Sequence, residues 1–373
     1  MDPFTIEFGG DRILDLHQRI DATRLPPAVE GVGWDRGVPP EVLAEWLRRW
    51  RSFDWLSTEK RLNGFPHFIC DIDGTKLHFV HVRSEVEEAI PLLVMNGWPS
   101  TFAELLPLIA PLTKPRDGGQ AFHVVIPSLP GFGFSPAPTE AGWGPTRIGK
   151  AMADLMRCLG YRRFGIHGSD MGAAIMHAMV LSMSEILIGT HSATVLGAFA
   201  DAEPHTREEA RFLQESRQWQ QAEGAYNKLQ ATKPHTLAAS LSDSPAGMAA
   251  WALEKWHTWS DGGLDAYDPS DVLTMLTIFW VTGSLASSIQ LYAELVADPS
   301  IAKLEKSDVP TGVLLLPKDI SHAPRSWGER WFNVVRWTEA GHGGHFPALE
   351  ATDILAAEIR ATFGWIRELS VVN

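Results

Sequence analysis

Three observations predict an α/β protein built on a mostly parallel, doubly wound sheet. The short apolar runs in "IPLLVMNGWPS", "FHVVIPSLPGFGFS" and "RFGIHGSD" do not alternate with polar residues, and helical patterns separate them. Strands of that kind are buried on both faces and pair in parallel beneath covering helices. From about residue 200 to 302 the strand pattern gives way to helical runs, and "VPTGVLLLP" and "VVRWTEA" then resume the sheet. An arm precedes the first parallel strand, with aromatics to bury but too little core of its own.

Along the arm the pattern gives a short strand, then helices in "DRILDLHQRI" and "PEVLAEWLRRW" joined by Pro/Gly-rich "PPAVEGVGWDRGVPP". "CDIDGTKLHFVHV" predicts a hairpin turning at Asp73-Gly74. Between the parallel strands, "TFAELLPLIAPL" and "RIGKAMADLMRCLG" read as crossover helices, and "MGAAIMHAMVLSM" follows the third strand as another. In the helical block, "REEARFLQESRQWQQAEGAYNKLQ" and "AGMAAWALEKWHTW" read as helices. "LTMLTIFWVTGSLASSI" reads as one buried helix, short of a membrane span. The expected division is an N-terminal meander at 1–75 wrapping the core, a sheet core at 76–199 and 303–373, and a helical cap at 200–302. The cap would cover the carboxyl edge of the sheet, where such folds bind ligands.

The composition narrows the partners. A formal charge of −13 disfavours nucleic acid, since phosphate recognition needs a basic surface, and favours a neutral or apolar small molecule. Cys70 and Cys158 match no metal or redox spacing, which predicts two buried thiols in a reducing, cytoplasmic compartment. The N-terminus lacks the basic and apolar regions of a signal peptide. "SLPGFGFSPAP" lacks the third glycine of a phosphate loop and breaks on Pro136, so it reads as an irregular loop lining the pocket. His342 and His345 share a glycine loop with no third ligand nearby, which argues against a metal site.

The candidate chemistry centres on "FGIHGSDMGAAI", residues 164–175. A nucleophile elbow is a strained strand-to-helix turn that needs small residues two before and two after the nucleophile. Centred on Asp170 those positions are Gly168 and Gly172; centred on Ser169 they are His167 and Met171, both too large. The register selects Asp170, and the competing reading is an aspartate that merely caps the following helix. An α/β hydrolase presents nucleophile, acid and histidine in that chain order, the last two beyond late strands. Asp319 and His345 stand in those places. In "NGWPS", Pro99 turns the chain so that the Trp98 N–H can face the site and form an oxyanion hole with the N–H of Met171.

Taken together these blocks resemble the epoxide hydrolases of the α/β-hydrolase superfamily, specifically the microsomal-type and fungal branch with its N-terminal meander. The resemblance runs through "FDWLSTEKRLNGFPHF", "NGWPS", "PSLPGFGFS", "HGSDMG", "LQATKPHTLAASLSDSPAGMAAWALEKW", "LLPKDISHAPRSW" and "GGHFPALE". It implies an α/β-hydrolase fold, Asp170 as nucleophile, Asp319 as the acid orienting the base, and His345 as the base that activates water. It also implies that Tyr226 and Tyr292 hydrogen-bond the epoxide oxygen, leaving Tyr161 and Tyr267 as core residues. The implied reaction is epoxide plus water to vicinal diol through an ester on Asp170, with no metal or organic cofactor. The implied partner is an apolar epoxide, and a homodimer stays open. One position departs from the family: Asn96 stands where the motif before the oxyanion turn usually has histidine. A haloalkane dehalogenase would use the same aspartate, but Met171 stands where it has a halide-binding tryptophan. A non-catalytic binding protein is the remaining alternative, motivated by Asn96 alone.

Overall fold

The computed structural model describes residues 1–195, 203–299 and 305–372. Nine strands form one sheet among them: β1 (Asp2–Phe4), β2 (His67–Ile72), β3 (Thr75–Val82), β4 (Ile90–Met95), β5 (Phe122–Pro127), β6 (Phe164–Gly168), β7 (Leu187–Ser192), β8 (Pro310–Leu315) and β9 (Asn333–Glu339). Their spatial order is 1-2-3-5-4-6-7-8-9, antiparallel from β1 to β5 and parallel from β5 through β9. Leu92, Leu93, Val94 and Met95 of β4 are all fully buried, as a strand covered on both faces requires. The chain leaves β4 to one side for β5 and returns to the other side for β6. That reversal opens a crevice beyond the carboxyl ends of β4 and β6.

The arm contributes more than a wrapping. β1 and β2 are strands of the main sheet, and the expected boundary at 75 falls inside the β2–β3 hairpin. Asp73 and Gly74 turn it with φ of 51° and 74°, the left-handed pair of a type I′ turn. Helices α1 (Gly10–Asp21) and α2 (Pro40–Arg51) lie where the pattern predicts, and α3 (Trp55–Leu62) follows them. The sequence reading missed α3, whose eight residues span too few turns for periodicity to register; the Asp54 carboxylate caps it by accepting from the Ser57 N–H at 3.0 Å.

Among the crossovers, the segment expected as one helix near residue 102 is a 3₁₀ turn (Phe102–Leu108) running into short α4 (Ile109–Thr113). Pro107, without an N–H, sits inside that turn. Helices α5 (Pro145–Cys158) and α6 (Met171–Ser182) cover the sheet. Cys70 is buried as expected, but Cys158, the last residue of α5, is exposed. The sequence reading also passed over β7: "LIGTHS" looks polar, yet its polar groups pair across strands. Thr190 and Thr311 meet hydroxyl to hydroxyl at 2.8 Å, and His191 meets His167 at 3.0 Å.

The inserted helices are α7 (Arg207–Ala222), α8 (Ala225–Thr232), α9 (Pro234–Asp243), α10 (Pro245–Thr258), α11 (Pro269–Thr282), α12 (Ser284–Ser288) and α13 (Gln290–Ala297). The first expected helix here breaks at Glu223-Gly224 into α7 and α8. The run expected as one buried helix instead bends by 84° at Gly283, whose φ of 69° ends α11 in the left-handed conformation. No single helix among the described residues is long and apolar enough to cross a membrane. The expected limits at 199, 200, 302 and 303 lie outside the described residues. The arm clasps this block: the Trp50 indole N–H donates to Thr277 Oγ1 at 2.9 Å in a buried contact. The chain closes with α14 (Arg325–Gly328), α15 (Pro347–Glu350) and α16 (Thr352–Val372).

Candidate active site

Asp170 occupies the turn between β6 and α6 with φ 48° and ψ −123°, a conformation that costs a non-glycine residue about 1–3 kcal/mol. A Cβ on Gly168 would stand 2.7 Å from the Gly172 carbonyl oxygen, and one on Gly172 would stand 2.4 Å from that of Met95. The flanking glycines are therefore steric requirements. Ser169 is buried, its N–H bonded to the Met95 carbonyl at 3.1 Å. The Asp170 carboxylate makes no capping bond to α6, so the capping reading fails; it faces outward to other partners.

One of those partners is the turn after β4. The Trp98 N–H donates to Asp170 Oδ1 at 2.8 Å. A Cβ on Gly97 would lie 1.9 Å from that same oxygen and 2.5 Å from the Met171 nitrogen, so only glycine fits between the turn and the start of α6. The Trp98–Pro99 peptide is cis. Asn96, the departure from the family pattern, braces the turn through its amide, which donates to the Thr101 carbonyl at 2.8 Å and to Glu104 Oε2 at 2.9 Å.

Glu104 is fully buried, and burial pushes its carboxyl up to about 7 against the opposing bonds from Asn96 and Ser100. The folded state holds this proton more tightly than the unfolded chain. The stabilisation is therefore complete below the ordinary value of 4.5 and is lost as pH rises through about 7. We expect wild-type stability to fall between pH 5 and 8 by on the order of 3 kcal/mol from this group, and Glu104→Gln to flatten that window. Denaturant unfolding at both pH values checks it; equal falls in the two proteins would remove Glu104 from the account.

Asp319 follows β8 and His345 follows β9. The His345 Nδ1–H donates to Asp319 Oδ1 at 2.6 Å, while Nε2 lies 3.2 Å from Asp170 Oδ2. Burial opposes a charged ring here, but the Asp319 carboxylate and the bond to Asp170 outweigh it and raise His345 to about 10. The two flanking carboxylates favour the protonated ring, which has a donor for each of them. Gly343 turns the loop with φ 105°, and a Cβ on Gly344 would stand 2.5 Å from the Trp259 carbonyl oxygen. That carbonyl accepts the His345 N–H at 2.8 Å, tying the histidine loop to the end of α10. His342 is exposed.

Tyr226 on α8 and Tyr292 on α13 are both buried, their rings 5.9 Å apart at 82°. The Trp98 indole stacks on Tyr226 at 5.6 Å and meets Tyr292 at 5.7 Å. Burial first, and the Asp170 charge second or third, push both phenols up, so they stay protonated and can donate. Trp259 packs 5.2 Å from Tyr226 and 5.0 Å from His345, giving the cluster an aromatic wall. Tyr161 and Tyr267 direct their hydroxyls elsewhere, to His81 and Ser260. No group of three or more His, Cys, Asp or Glu among the described residues is arranged to hold a metal. Sequence reasoning missed Glu104, Trp259 and Lys255; the last two lie in "EKWHTW", whose helical period was legible but whose facing partners were not.

The comparisons place the whole chain among known families. A family model described as Epoxide hydrolase N terminus matches residues 1–105, and one described as alpha/beta hydrolase fold matches 90–245. The chain is 34% identical to epoxide hydrolase 1 of Oryctolagus cuniculus over 96% of its own length and 87% of the relative's. It is 33% identical to the juvenile hormone epoxide hydrolase of Bombyx mori, over 100% and 88%. The crystal structure of the silkworm enzyme superposes with a TM-score of 0.88 at 31% identity, covering 99% of this chain and 94% of that one. The Aspergillus niger epoxide hydrolase gives 0.87 at 27% identity, covering 98% and 96%. With a carboxylate on the strained turn, a histidine and a second carboxylate behind it, and near-complete coverage by such relatives, the chain belongs to the epoxide hydrolases of the α/β-hydrolase fold.

Proposed function

We propose that this epoxide hydrolase works through a covalent ester on Asp170. The observation that carries the reading is that the Trp98 N–H and His345 Nε2 hold the two oxygens of one carboxylate on a strained turn. Asp170 attacks an epoxide carbon, the carbon–oxygen bond breaks, and Tyr226 and Tyr292 donate to the departing oxygen. Ester formation removes the Asp170 charge that helps keep His345 protonated. The ring then gives up its Nε2 proton, which balances the one delivered to the product hydroxyl. As a free base held by Asp319, it deprotonates water for attack on the ester carbonyl, while the Trp98 and Met171 amides stabilise the oxyanion. Release of the diol restores the carboxylate and the imidazolium, so the cycle closes as epoxide plus water to diol.

In this reading the segment 200–302 acts as a cap that carries both tyrosines, over a core of 76–199 and 303–373 with the meander at 1–75. The indoles of Trp98 and Trp259 beside the phenols favour an apolar epoxide. The two free thiols suit a cytoplasmic location. Replacing both Tyr226 and Tyr292 by Phe is expected to slow ester formation from styrene oxide by roughly 10²-fold or more, and each single replacement less, with ester hydrolysis little changed. Quenched-flow detection of the adduct measures the first step, and a double variant forming ester at the wild-type rate would exclude the tyrosines as acid.

A further inference from the structure

The catalytic cycle has no use for Lys255, yet this lysine is embedded in the aromatic wall. Its side chain is only 6% exposed, and its ammonium pairs with Glu254. Burying an ammonium is costly unless partners compensate it, and here part of the compensation comes from rings. The nitrogen lies 4.6 Å from the centre of the Tyr226 ring and 5.6 Å from that of Trp259. Among the described residues no cation stands over Tyr292. The two phenols therefore differ electrostatically although both are buried beside Asp170.

The lysine is also held in place. One residue on, the Trp256 indole N–H donates to the Pro99 carbonyl at 3.0 Å; four residues on, the Trp259 carbonyl accepts the His345 N–H. The C-terminal end of α10 just beyond Lys255 is thus tied both to the oxyanion turn and to the histidine loop. A cation over the face of a phenol stabilises the phenolate more than the phenol, because negative charge develops on the ring and its oxygen as the proton leaves. Burial, the Asp170 charge and, more weakly, the Glu254 carboxylate paired with the lysine act in the opposite direction.

We propose that Lys255 is a positioning residue whose ammonium, seated over the Tyr226 ring, makes Tyr226 the principal proton donor to the epoxide oxygen. The proposal rests on the reading of the tyrosines as the acid in ester formation. During carbon–oxygen cleavage the phenolic proton moves to the departing oxygen and the negative charge left on Tyr226 lies against the lysine. The His345 proton then restores the phenol, so Lys255 itself transfers nothing.

The test is single-turnover reaction of the full chain with styrene oxide, following adduct mass and diol separately. Lys255→Met is expected to slow ester formation by about tenfold or more and to leave ester hydrolysis within about twofold. Lys255→Arg, which keeps a cation over the ring, is expected to recover most of the lost rate. In a Tyr226→Phe background the Met replacement should add no further loss, whereas in a Tyr292→Phe background its full effect should persist. Wild-type ester formation in Lys255→Met, an equal loss in both phenylalanine backgrounds, or failure of Arg to rescue would each overturn the proposal. If Lys255→Met does not fold, the Arg variant and Lys255→Gln carry the same comparison. A Tyr226→Phe protein with an unimpaired first step would instead overturn the acid role itself.

Discussion

Replacing Asp170 by Asn is expected to abolish ester formation and lower diol production from styrene oxide by about 10⁴-fold or more. The amide is almost isosteric and asparagine tolerates positive φ well, so the turn at φ 48° should survive and the protein should fold. What disappears is the nucleophilic charge. The same charge contributes to the elevation of His345, so the histidine should titrate lower in the variant than in the wild type. Adduct mass spectrometry, diol analysis and thermal unfolding separate loss of chemistry from loss of fold. Full activity in the variant would sink the nucleophile assignment.

Replacing His345 by Gln is expected to divide the reaction in two. Ester formation needs Asp170 and the phenols, so an adduct of one styrene oxide per chain should appear, slowed by no more than about tenfold by loss of the imidazolium proton. Hydrolysis needs the base, so multiple turnover should fall by roughly 10³–10⁴-fold and the adduct should persist. The His345 side chain is buried and bonded to two carboxylates, so some loss of stability accompanies the change. A variant that turns over steadily without accumulating adduct would assign the base elsewhere.

The parts of this molecule that were readable from sequence are those where local sterics leave a mark. Gly168 and Gly172 flank the elbow because a Cβ at either would strike backbone, and Gly97 is demanded by the Asp170 carboxylate itself. Asp73-Gly74 announces its turn for the same reason, since both residues take positive φ. Asp319 and His345 could be singled out because each follows a legible apolar strand, although nothing local says that their side chains come within 2.6 Å.

What escaped notice depends on contacts made across the fold. β7 reads as polar because its hydroxyl and imidazole partners arrive from β6 and β8. The bend at Gly283 sits inside an apolar run whose composition alone suits one straight helix. Glu104 and Lys255 look like ordinary solvent-facing charges on their own helical turns. Their burial follows from the packing of the 3₁₀ segment and α10 around the site, which no residue spacing records.

The central claim, a covalent Asp170 ester, is tested most directly by one turnover in heavy-oxygen water with enzyme in excess over styrene oxide. Attack by the Asp170 carboxylate followed by water addition at the ester carbonyl predicts an unlabelled first-turnover diol, with the heavy oxygen in the peptide that contains Asp170. Heavy oxygen in that first diol, with none in the peptide, would mean that water attacks the epoxide directly and would contradict the account.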